Sequence, residues 1–227
     1  MNARLIAAAL ALLFVLPDAS AQQPASSGTP EYKPPVRGAP ARRVGGSSRG
    51  AEELPFVAVI APDHVGHTVS EQPALYWFVS RRSPVRVEIT LIDSSGIKPV
   101  VETSITSAEP GIHRFSLADH DVRLKPGEEY QWSVSLVADD KQRSNDVVSQ
   151  GSVQLVAPSP QLQARLAGLP LSAQARVYAA EGVWYDAIAA ISESIAREPD
   201  NRELRTARAA LLEQVDLKDA AAFERRQ

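Results

Sequence analysis

Apolar and polar positions alternate with a period of two through the middle of the chain. Val85, Val87, Ile89 and Leu91 are separated by Arg86, Glu88 and Thr90; Tyr130, Trp132, Val134 and Leu136 are separated by Gln131, Ser133 and Ser135. Such alternation predicts strands with one buried face. Segments 56–61, 75–79, 100–106, 112–117 and 151–156 add five more short strands, divided by turn signals at Ser94-Ser95-Gly96, Glu109-Pro110-Gly111 and Lys125-Pro126-Gly127. Seven strands at this spacing predict an antiparallel immunoglobulin/fibronectin-type β-sandwich over 54–157, in a mainly β plus α chain. Segment 75–79 is apolar on both faces, with Leu75, Trp77 and Val79 on one and Tyr76 and Phe78 on the other. Either another layer covers the second face or its rings form an exposed platform. Cover is the expectation, and the next segment supplies it.

From 158 onward the period is helical. Ser159-Pro160 opens a short helix stopped near Gly168, and Ser172 is the expected cap of a second that ends at Gly182. Trp184, Ala187, Ile188, Ile191 and Ile195 mark one face of a third, ended by Pro199. Asp200 and Glu203 suit a capping box for a fourth, with Leu204, Ala207, Leu211 and Val215 inward. Residues 158–227 therefore read as a small helical domain.

The two patterned regions are preceded by segments of different character. The unbroken apolar run 5–16 follows Arg4 and is followed by Pro17 and Ala19-Ser20-Ala21. It predicts a signal peptide over 1–21, cleaved after Ala21, and is too short for an ordinary membrane-spanning helix. No transmembrane anchor is expected. Absence of cysteine excludes disulfides and thiol catalysis in this sequence, and leaves no lipid-attachment cysteine. Periplasmic or secreted localisation follows as an expectation. Residues 22–53 are rich in Pro, Gly, Ser and Arg and nearly devoid of large apolar side chains, which predicts a flexible segment. Net charge is only −3, so no nucleic-acid partner is expected. Lys33, Arg37, Arg42, Arg43 and Arg49 nevertheless crowd the arm, opposed before Ala51 only by Glu31.

Several motifs carry resemblances. Leu124-Lys125-Pro126-Gly127-Glu128-Glu129-Tyr130 resembles the L-x-P-G-x-x-Y run of fibronectin type III and related domains, which implies a tyrosine corner at Tyr130 and makes Trp77 the central core aromatic. Tyr178, Gly182, Trp184, Ala187 and Pro199 resemble one tetratricopeptide repeat; a single repeat cannot stack, so a helical hairpin packed on the sheets is implied. Tyr32-Lys33-Pro34-Pro35-Val36-Arg37-Gly38-Ala39-Pro40 runs into Val44-Gly45-Gly46-Ser47-Ser48-Arg49-Gly50. Segment 73–79 with Tyr130-Gln131-Trp132, and then Gly182-Val183-Trp184-Tyr185-Asp186-Ala187, follow in order. Together these resemble the bacterial domain-of-unknown-function 928 family. That resemblance implies an exported protein and carries over no catalytic residue.

Candidate chemistry is sparse. Gly46-Ser47-Ser48-Arg49-Gly50 has the G-x-S-x-G pattern of a nucleophile elbow, but no buried strand precedes it, and no Gly-Lys-Ser/Thr ending makes it a phosphate loop. His64 and His67 have H-x-x-H spacing in a turn, which reads as surface histidines rather than a metal site. Asp119, Asp121, Asp139, Asp140 and Asp146 lie in strand connections without a calcium-loop pattern and read as solvated turn residues. No metal and no cofactor are expected. Asp186, at the start of a helix, complements its dipole, while Trp184 and Tyr185 serve as packing contacts.

The expectation is an exported, non-enzymatic interaction protein of the bacterial envelope with a protein partner. Its candidate partner-binding residues are Tyr32, Arg37, Arg43, Arg49, Trp184 and Asp186. The arm reads equally as a solvated tether or as a contact for an anionic or sheet-edge partner. The alternative is an envelope glycan-binding protein or hydrolase using the aromatic strand and the loop carboxylates. Oligomeric state has no signal in the sequence.

Overall fold

The computed structural model describes residues 28–35 and 54–227. Eight strands occur among the described residues: β1 Val57–Val59, β2 Gly66–Thr68, β3 Ala74–Val79, β4 Arg86–Asp93, β5 Pro99–Ile105, β6 Gly111–Ser116, β7 Glu129–Val137 and β8 Val147–Leu155. They form a three-stranded sheet, β1-β3-β6, and a five-stranded sheet, β2-β8-β7-β4-β5. All seven expected strand segments are present. The seven-stranded, wholly antiparallel expectation is corrected by β2, which pairs in parallel with β8 through Gly66↔Val153 and Thr68↔Leu155. Its sequence, Gly-His-Thr, holds no apolar residue, so no alternation announces it.

The alternating residues of β4 and β7 meet in register, Ile89 opposite Val134 and Leu91 opposite Trp132. Their apolar faces are buried toward the smaller sheet, where Ser149 Oγ accepts the Val59 N–H at 3.0 Å. Trp77 lies buried in this layer, stacked on His113 with ring centroids 4.4 Å apart. The Tyr130 hydroxyl accepts the Lys125 N–H at 3.2 Å and donates to Glu128 Oε2 at 3.1 Å.

Five helices follow: α1 Pro160–Leu166, α2 Leu171–Ala180, α3 Trp184–Arg197, α4 Arg202–Gln214 and α5 Lys218–Glu224. Ser159 caps α1 as expected, accepting the Leu162 N–H at 3.0 Å. Two caps differ from expectation. Pro170, not Ser172, precedes α2; Pro has no N–H to satisfy, and its carbonyl accepts from both Ala173 and Gln174. Asn201, not Asp200, caps α4, its Oδ1 accepting from Glu203 and Leu204 at 3.1 and 3.3 Å. Both side chains suit a cap, and sequence alone does not separate neighbours. The seven-residue α5 has too few turns to show a period.

The helices cover the second face of β3. Tyr76 and Phe78 are buried, Phe78 edge-on to Phe223 of α5 at 5.6 Å and Tyr76 hydrogen-bonded to Ser192 of α3. The doubly apolar strand is thus a shared wall between two cores. Beneath α4, Arg208 donates to Glu224 Oε2 at 2.7 and 3.0 Å and to Ser192 Oγ at 3.0 Å. Among the described residues, no helix is long and apolar enough to cross a membrane.

Candidate functional site

Trp184, Tyr185 and Asp186 open α3 side by side, and each reaches a different part of the sheets. Trp184 Nε1 donates to the Ile60 carbonyl at 3.0 Å. The Tyr185 hydroxyl donates to the Ser152 carbonyl and accepts from Trp132 Nε1, both at 2.9 Å. Asp186 Oδ2 accepts the Val69 N–H at 3.1 Å, and its carboxylate also takes the Thr68 hydroxyl. One helical turn thereby satisfies polar groups from both sheets that burial would otherwise leave unpaired. Gly66 is required beside it, since a Cβ there would stand 2.6 Å from Tyr185 Cε2.

Tyr32 joins the same junction from the arm. Its ring is buried edge-on to Trp184 at 4.9 Å and stacked with His64 at 5.9 Å, and its hydroxyl lies 2.9 Å from His64 Nε2. Gln214 holds the backbone on either side, accepting the Tyr32 N–H at 2.7 Å and donating to the Pro30 carbonyl at 2.9 Å. The Lys33 N–H donates to Ala179 O, and the Lys33 carbonyl lies where only Gly182 fits: a Cβ there would approach it to 2.7 Å, and Gly182 has φ +74°. The flexibility expected of 22–53 is therefore corrected for residues 28–35, because one large aromatic and two main-chain anchors hold them.

Burial governs the electrostatics here. It pushes the Asp186 carboxyl up to about 6 against the opposing hydrogen bonds from Thr68 and Val69. Burial, then the charge of Asp63, raises the Tyr32 hydroxyl, and burial raises Tyr185. His67 is lowered by burial and by its neighbour His64. His64 is not a surface residue, with its side chain only 17% exposed.

The structure unites three of the six expected site residues: Tyr32, Trp184 and Asp186 meet at the junction, with Tyr32 and Trp184 buried and Asp186 half-buried. All three have partners inside the protein. Arg37, Arg43 and Arg49, the G-x-S-x-G run and the signal segment lie outside the described residues. Of the turn acids, Asp119 pairs with Arg114, Asp140 with Arg86 and Asp146 with Arg143. Asp146 departs from the solvated expectation, its side chain only 4% exposed.

What sequence reasoning missed is an open cleft of about 580 Å³ between residues 28–30 and helices α2, α3 and α4. Ala175, Ile191, Leu204 and Ala207 line its floor; Arg176, Arg202, Glu198 and Glu203 bring charge to its walls. A smaller pocket of about 200 Å³ lies over Asp186, lined also by Glu193, Tyr178, Gln174 and Ser70. Sequence carried a trace of the first, the helical apolar spacing of Leu204 and Ala207, but nothing of its arm wall. Among the described residues, no group of three or more His, Cys, Asp or Glu residues could hold a metal ion.

A family profile described as Domain of Unknown Function (DUF928) matches residues 38–224, and the chain belongs to that family. The sequence run 182–187 falls within the match, so the junction built by α3 lies in the part the family defines. No curated protein matches the chain.

Proposed function

We propose that this chain is an exported, non-enzymatic interaction protein of the bacterial envelope that presents the cleft between its arm and helices to a protein partner. The observation that carries the reading is the cleft itself: an apolar floor with charged walls, one wall being residues 28–30 of the arm. The junction of Tyr32, Trp184, Tyr185 and Asp186 fixes that wall and the helices to the sheets, giving a preorganised surface. The apolar run before Pro17 supports export. Strand order and the Tyr130 corner support an immunoglobulin/fibronectin-like kinship for the sheets. The α2–α3 turn at Gly182 supports a single tetratricopeptide-like hairpin.

A second reading, glycan binding or hydrolysis, draws on the pocket where Asp186, held protonated up to about pH 6, shares the lining with Glu193. It no longer has the aromatic strand to draw on, since Tyr76 and Phe78 are covered.

In-cell crosslinking and mass spectrometry of the mature chain test the choice, beside a cleft-filling Ala207→Trp variant and an R37A/R43A/R49A variant. A discrete protein lost on filling the cleft supports the interaction reading. Its loss in the arginine variant adds the arm as a second contact. An unchanged partner set in Ala207→Trp overturns the cleft's role, and recovery of wall polymer alone moves the reading to glycan.

A further inference from the structure

The cleft does not end at its own rim. Arg202 and Thr206 of α4 also line a second cleft, about 350 Å³, bounded by Arg205, Glu224, Arg225 and Arg226. The two clefts adjoin at these two residues of α4, and they differ in character. In the first the floor is apolar, Ile191 and Leu204 beneath, with Glu198 and Glu203 opposing Arg176. In the second, four arginines face one acid, Glu224, whose carboxylate is already taken by Arg208 at 2.7 Å.

The arginines are not equally free. Arg225 is held by Glu213 at 2.9 Å. Arg205 donates Nε and Nη2 to the Pro199 carbonyl at 3.2 and 3.1 Å, which orients its guanidinium, and stands 3.9 Å from Glu224. Among the described residues, Arg202 and Arg226 have no carboxylate partner; Arg226 lies 6.0 Å over the Phe223 ring. Two guanidiniums without a carboxylate beside an oriented third make a surface for carboxylates, which arginine forks recognise best.

Resting on the interaction reading above, we propose that the adjoining clefts, as one path over α4, bind an extended, acidic segment of the partner polypeptide. One apolar side chain sits over Ile191 and Leu204, and Asp or Glu residues reach Arg202, Arg205 and Arg226. Two observations favour polypeptide over an anionic glycan. No aromatic ring, the usual stacking platform for a sugar, is among the lining residues of either cleft. One wall of the first cleft is itself main chain, residues 28–30, and the Pro30 carbonyl there accepts from Gln214, so polypeptide backbone already packs on these helices.

The test uses the full mature chain and three fluorescent probes in low salt. One is a ten-residue peptide with a central leucine flanked by Asp and Glu, one the same peptide with Lys in their place, and one an oligogalacturonate. Only the acidic peptide should bind, weakening with salt, and R202E/R226E should weaken it by about tenfold or more. Glutamate at the first position of α4 suits the helix dipole, so the double variant keeps its fold; its melting temperature checks this. Equal binding of the lysine peptide, equal or tighter binding of the oligogalacturonate, an unaffected double variant or no peptide binding overturns the proposal. If R202E/R226E still captures the crosslinked partner, the interaction reading stands and this assignment falls. If the unaltered chain captures no protein, the interaction reading itself falls.

Discussion

The Tyr185 hydroxyl and the Trp132 indole N–H stand 2.9 Å apart inside the protein, one from the helices and one from the larger sheet. The same hydroxyl passes its proton toward the Ser152 carbonyl. Tyr185→Phe keeps the ring and removes both bonds, leaving a buried indole N–H unpaired. The expected cost is about 1–3 kcal/mol, read from the urea midpoint. Tyr185→Leu should cost more, since packing is lost as well.

Gly66 tests the same contact from the other side. An alanine Cβ there would lie 2.6 Å from Tyr185 Cε2 and 3.2 Å from Pro62 Cδ. The ring cannot retreat without giving up its two hydrogen bonds. Gly66→Ala should destabilise by about 1–3 kcal/mol, and by less in a Tyr185→Leu background. Equal costs in both backgrounds would show that the ring is not what excludes the methyl.

Much of this architecture was legible in the chain. Alternation marks β4 and β7 because every second residue there is buried between the sheets, whereas β5 has no buried residue, and β2 escaped because Gly66, His67 and Thr68 pair at an edge without an apolar residue. The run Trp184-Tyr185-Asp186 stood out, but its targets lie far away in sequence, Ile60 being 124 residues from Trp184. Periodicity carries no information across such separations. Tyr32 had one signal, as the sole aromatic in a Pro- and Gly-rich stretch, and a single anchor of that size can order its neighbours. The path over α4 was hidden because Arg226, in the turn after α5, comes to lie beside Arg202 and Arg205 of α4, more than twenty residues earlier in the chain.

Asp186 makes the junction pH-dependent. Its folded-state value of about 6 lies above the ordinary carboxyl value of 3.8, so the folded protein takes up this proton more readily than the unfolded chain. Its effect on stability is most favourable below about pH 4 and declines as pH rises to about 6, by roughly 3 kcal/mol at most. Thr68 and Val69 face the carboxylate from the sheet side, and Tyr178 and Glu193 share its pocket. Asp186→Asn retains an acceptor for the Val69 N–H without the charge. The stability difference, variant minus native, should therefore grow between pH 4 and 7 in a urea series. A difference that stays flat would mean that Asp186 titrates normally.

The Arg208–Glu224 pair ties α4 to α5 beneath the helical surface, with Ser192 taking a third guanidinium bond. Burial lowers the Arg208 value while the charge of Glu224 opposes that effect. Removing one partner leaves the other charge stranded in the interior, so Glu224→Gln should cost about 3–5 kcal/mol, and Arg208→Met a similar amount. Removing both, as Arg208→Met/Glu224→Leu, should recover most of that loss, because desolvating two charges offsets much of what their attraction supplies. Urea denaturation of the three variants decides this. A double variant as unstable as the sum of the singles would mean that the bond to Ser192 and its neighbour Tyr76, not the ion pair, hold α4 in place. The path over α4 depends on the outcome, since Glu224 also lines it and can leave Arg205 free for a ligand only while Arg208 holds its carboxylate.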